Sequence, residues 1–87
     1  MVFKKQLKGQ VMTLASLPKG YTAKVLHIDT PDLKLKRRLM DMGFTEGVQV
    51  QIKKIAPMGD PIDILLRGYE LCLRKVDLSF VEVEVIR

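Results

Sequence analysis

The stretch TPDLKLKRRLMDMGFTEG, Thr30 to Gly47, decides how this chain folds. It encodes a helix with both ends marked, then a turn into a strand. Thr30 suits the N-cap, where a side-chain oxygen satisfies a free backbone N–H, and Pro31 suits the first helical position, which needs no N–H donor. Asp32 sets a negative charge against the positive end of the helix dipole. Leu35, Leu39 and Met42 recur at spacings of four and three, one face of an α-helix. Lys34, Lys36, Arg37 and Arg38 occupy much of the remaining surface. Gly43 stands where a helix ends on a left-handed residue, and Phe44 is placed to fold back on Leu39 in a Schellman closure. The stretch therefore predicts a short helix, apolar on one side and basic on the other.

Around this helix the chain reads as strands and turns. Tyr21 to Ile28 alternates with a change of phase near Val25-Leu26, which predicts a bulged strand. Val48, Val50 and Ile52 alternate with Gln49, Gln51 and Lys53. Ile62, Ile64 and Leu66 alternate with Asp63 and Leu65. Gly68-Tyr69 predicts a two-residue type II′ hairpin, with Leu71 and Leu73 facing inward on the return. Val81, Val83 and Val85 alternate with Glu82 and Glu84 in a final strand. Leu14 and Leu17 pack inward from a short helical turn that Pro18-Lys19-Gly20 ends. A small open sheet leaves both edges unpaired, so five short strands favour closure. The expected fold is mainly β: a small five-stranded SH3-like or OB-like barrel, with one α-helix inserted after the first strand. Residues 1–11, with Lys4, Lys5 and Lys8, read as a flexible extension, and residues 12–87 as the domain.

Eighty-seven residues, 47% of them apolar, make one domain with a modest core. No apolar run nears the ~20 residues a membrane helix needs. The one cysteine, Cys72, excludes an internal disulfide, and the expected location is the cytoplasm. The net charge of +5 is uneven: residues 1–42 hold nine basic and three acidic groups, residues 43–87 six and seven. The positive field therefore belongs to the N-terminal half and the helix. It suits an anionic partner surface. Nucleic acid is not the expected partner, because single-strand binders stack bases on grouped aromatics. Here five aromatics are scattered, and Glu82 and Glu84 repel phosphate.

Nothing in the chain forms a catalytic constellation, so an enzyme is not expected. His27 is the one histidine, and a metal site on it needs carboxylates or a partner. Asp60 and Asp63 are weak candidates for a divalent cation such as iron or zinc; no cofactor is required. The loop Pro57-Met58-Gly59-Asp60-Pro61 is a candidate contact surface, held between prolines with an adaptable methionine at its centre. Lys34, Arg37 and Arg38 are a second.

Three blocks, Arg38 to Gly47, Ala56 to Pro61 and Arg67 to Leu71, together resemble the FeoA family, as does the opening from Met12-Thr13-Leu14 to Pro18-Lys19-Gly20. The resemblance covers Met12 to Ile86. It implies an SH3-like β-barrel with a helix after the first strand. It also implies a small cytosolic accessory protein of bacterial ferrous-iron uptake, which binds or regulates a membrane permease carrying a cytoplasmic GTP-binding domain. By the same resemblance, the module also occurs at the end of iron-dependent repressors, which leaves metal sensing as an alternative. On this chain the motif residues Gly43, Gly47, Pro61, Gly68 and Tyr69 read as fold determinants. Such a protein reaches the membrane only through the permease and is expected to be a monomer or weak homodimer.

Overall fold

In the computed structural model, which describes residues 7–87, one antiparallel sheet curls around an aliphatic core. The strands are β1 (Val11–Thr13), β2 (Thr22–Ile28), β3 (Gln49–Ile55), β4 (Ile62–Leu66), β5 (Tyr69–Leu73) and β6 (Val81–Val85). A 3-10 turn, Leu14–Ser16, follows β1. Helix α1 (Leu33–Asp41) lies between β2 and β3, and the single turn α2 (Lys75–Leu78) between β5 and β6. The sheet runs in the order β1-β6-β2-β3-β4-β5.

Period-two alternation explains which side chains meet inside. Val81, Val83 and Val85 of β6 are fully buried, as are Ile64 and Leu66 of β4, while their neighbours in sequence are not. Leu14, Val25, Leu39, Phe44, Val50 and Leu78 complete the largest fully buried set. The phase change expected in β2 is present: its register against β6 shifts between Val25 and His27. A second shift, between Ile52 and Lys54, leaves Ile55 exposed at the end of β3. Among the described residues no buried side-chain nitrogen or oxygen lacks a hydrogen-bond partner.

Four expectations are corrected. Among the described residues there are six strands rather than five, because β1 pairs Val11, Met12 and Thr13 with Glu84, Val83 and Glu82. Helix α1 consequently follows the second strand. Residues 7–11, expected to be free, are packed: Leu7 is buried, and Gly9 and Gln10 exchange backbone hydrogen bonds with Val85. Residues 1–6 of the expected extension lie outside the described residues. Third, the N-cap of α1 is Asp32, not Thr30. The Asp32 carboxylate accepts from the backbone N–H of Lys34 and Leu35 at 3.0 and 3.1 Å. Thr30 instead accepts the Asp32 N–H, and a carboxylate at the cap gains from the helix dipole as well. Fourth, the β4–β5 connection is Arg67-Gly68, and both residues have positive φ, +52° and +86°. That is the type I′ pattern, whose twist matches the flanking strands, and Gly68 is its second central residue rather than the first of a type II′ turn.

Candidate functional site

Helix α1 stands against the sheet on few side chains. Leu39 is fully buried, Leu35 and Met42 are partly so, and the rest of the helix faces outward. Its C-terminus is anchored instead by backbone geometry. Gly43 has φ +114°, the Phe44 N–H bonds the Leu39 carbonyl at 3.2 Å, and the Gly43 N–H bonds Met40 at 3.0 Å. These are the two hydrogen bonds of a Schellman closure, and Phe44 is buried in the same cluster as Leu39. The Arg67 guanidinium then donates to the Thr45 hydroxyl at 2.9 Å, tying the hairpin tip to the turn after the helix. Two of the three motif blocks, Arg38 to Gly47 and Arg67 to Leu71, thus meet at one end of the molecule.

This anchoring leaves Lys34, Arg37 and Arg38 exposed together. With Leu33, Asp41 and Met42 they line a broad groove of about 540 Å³. Leu33 is 75% exposed, an apolar side chain among three cations. A surface of this make-up fits an acidic protein surface with an apolar anchor, because charge steers the encounter and the buried side chain holds it. Leu33 was not singled out by periodicity. Its exposure follows from the cap: with Asp32 at the N-cap, Leu33 starts the helix away from the core stripe.

The third block lies elsewhere. The loop Pro57 to Pro61 joins β3 to β4 at the Ile62 end of β4, while α1 closes on the Leu66 end. Four residue steps of strand put these two sites about 13 Å apart or more. Met58 is 94% exposed and Pro57 is exposed beside it. Gly59 closes the loop through a 2.7 Å bond from its N–H to Ala56. Asp60 is committed to structure: its carboxylate accepts the Lys75 N–H at 2.7 Å and so caps α2.

The expected weak metal candidates are not brought together. Asp60 caps α2. Asp63 lies directly across the β4–β5 pair from Cys72. A hydrogen bond to the Asp63 carboxylate, then desolvation and the charges of Asp63 and Asp60, push the Cys72 thiol above its ordinary value. That keeps the exposed thiol protonated and a poor nucleophile. His27, on β2 and separated from β4 by β3, meets Glu82 at 3.1 Å. Of the residues read as fold determinants, Gly43 does most: a Cβ there would lie 2.7 Å from Leu66 Cδ2. Tyr69 is half exposed, with its hydroxyl near the same point.

Residues 12–85 match the family model of the FeoA domain. The chain belongs to the FeoA family. A FeoA-like protein from Clostridium acetobutylicum, solved by NMR, superposes with a TM-score of 0.79 at 40% identity, covering 94% of this chain and 92% of that one. The crystal structure of Stenotrophomonas maltophilia FeoA complexed with zinc, described as a prokaryotic SH3 domain protein, superposes with a TM-score of 0.75 at 28% identity. The match covers 84% of this chain and 89% of that one. The fold is thus the expected SH3-like one. A third relative is the Fe(2+) transport protein A/Fe(2+) transporter FeoB fusion protein of Porphyromonas gingivalis, 29% identical over 75 residues. That match takes in 86% of this chain, which spans 9% of the fusion protein's length. That relative thus joins a transport protein A part and a FeoB transporter part in one chain. No helix among the described residues is long and apolar enough to cross a membrane.

Proposed function

We propose that this chain is a non-catalytic accessory module of bacterial ferrous-iron uptake that docks on the cytoplasmic GTP-binding part of the iron permease through the basic face of α1. The observation that carries the reading is the groove bordered by Lys34, Arg37 and Arg38 with Leu33 exposed beside them. The fused relative supports the choice of partner, since fusion holds two components at high effective concentration. The loop Pro57 to Pro61, separated from α1 by the length of β4, serves as a second contact through Pro57, Met58 and Gly59, while Asp60 holds the loop in shape. The module acts from the cytoplasm, as a monomer or weak homodimer, without nucleic acid and without a required cofactor.

Calorimetric titration of the chain against the cytoplasmic domain of its own permease, with and without GTP, tests this. We expect saturable binding in at least one nucleotide state. Exchanging Lys34, Arg37 and Arg38 for Glu weakens it at least tenfold and leaves the thermal unfolding midpoint nearly unchanged, since all three side chains are on the surface. Absence of binding in both states, or binding indifferent to the three substitutions, refutes the docking face.

A further inference from the structure

We propose that His27, Asp29 and Glu82 form a binding site for one divalent first-row transition cation. The register of two strands creates it. His27 and Glu82 are direct partners across the β2–β6 pair. Asp29 follows two residues after His27, so strand parity returns it to the same face. Its backbone N–H bonds the Phe80 carbonyl at 2.7 Å, which extends the pairing past the end of β2 and fixes its position.

The donor atoms are already gathered. One nitrogen of His27 and one carboxylate oxygen from each of Asp29 and Glu82 all lie within 4.8 Å of one another. His27 Nε2 and Glu82 Oε2 are 3.1 Å apart. A cation with bonds of about 2.0 to 2.2 Å holds neighbouring donors about 3 to 3.5 Å apart, so one pair is at the required separation. Asp29 needs only a side-chain adjustment at an exposed position. A simple ion pair uses one carboxylate for one imidazole. Here two converge on it. The surplus negative charge is what a divalent ion compensates.

The ligand set also selects. Imidazole nitrogen favours zinc, cobalt and ferrous iron over magnesium and calcium, which take all-oxygen shells. Three protein ligands leave positions open for water or for a donor from another molecule. Lys36 lines the groove that His27 borders between β2 and α1, and its charge opposes a cation there. The expected affinity is accordingly moderate, with zinc bound more tightly than cobalt or ferrous iron. This site lies apart from the docking face on α1, and neither reading depends on the other.

The test is calorimetric titration of the untagged full chain with Zn²⁺, with Co²⁺ absorption reporting coordination. We expect one saturable site whose affinity falls tenfold or more in each of His27→Ala, Asp29→Asn and Glu82→Gln, and stays unchanged in Asp63→Asn. Amide NMR spectra check that each variant is folded; His27 is exposed, so its variant gives the decisive comparison. One ion per two chains, lost in His27→Ala, also supports the site and adds a second copy's donors to it. No saturable binding, binding that survives His27→Ala, or equal loss in Asp63→Asn overturns the proposal.

Discussion

Gly43 carries two constraints at one backbone position. Its φ of +114° is costly for any residue with a Cβ, and a Cβ would also run into Leu66, which is fully buried. Gly43→Ala adds a conformational cost of about 1 kcal/mol and an overpacking cost of about 1 to 3 kcal/mol. We expect the variant to lose roughly 2 to 4 kcal/mol in urea unfolding, with Gly47→Ala losing less, since nothing lies within 4 Å of its would-be Cβ. Equal losses at the two positions would remove the role assigned to Leu66. Asp60 shows the opposite relation between sequence and role. It reads as a contact or metal residue, yet its carboxylate is occupied by the N-terminus of α2.

At the scale of elements, α1 is held at its two ends more than along its length. Asp32 caps the N-terminus, the Schellman closure and Arg67 fix the C-terminus, and Leu39 is the one fully buried side chain between. A helix of nine residues is too short to be stable alone in water, so these restraints decide whether the basic face exists as a surface. Asp32→Ala removes the acceptor for two backbone donors and is expected to cost about 1 kcal/mol. Hydrogen exchange localises the effect: amides of Lys34 and Leu35 should exchange faster, while those of β2 and β6 change only by the global loss. Uniform acceleration would mean that α1 and the sheet unfold as one unit.

At the scale of the whole molecule, β6 is the central organiser. It pairs with β1 on one side and β2 on the other, and its three valines are fully buried. The segment before Met12 contributes to covering it, since Gly9 and Gln10 bond Val85 and Leu7 is 93% removed from solvent. Leu7→Ala should therefore destabilise the fold by about 2 to 3 kcal/mol, measured by urea denaturation. A loss below about 0.5 kcal/mol would place Leu7 outside the cooperative unit and restore the boundary at Met12. The same strand supplies Glu82 to the cation cluster, so one element serves the core with one face and the candidate site with the other.

Much of this arrangement was legible in the residues because it is local. Alternation in Val81 to Val85 and Ile62 to Leu66, the i, i+4 pair Leu35–Leu39 and the Gly43-Phe44 stop each report a backbone period or a backbone angle, and these depend on neighbours in sequence. The motif blocks carried the family in the same way. The misses have a common cause. Thr30 and Asp32 are both capable caps, and only the path of the chain out of β2 selects between them. Residues 1–11 read as a flexible extension, and Val11 becomes part of a strand only because β6 offers an open edge. His27 acquires Glu82 as a neighbour across fifty-five positions of chain, through a register that a bulge at Val25-Leu26 shifts. By itself the sequence determined the helix α1, the strands β2 to β6, the core faces and the basic surface, since each follows from short-range sterics and periodicity. The tertiary structure alone decided which side chains share a site, because strand register and packing bring together atoms that no spacing in sequence relates.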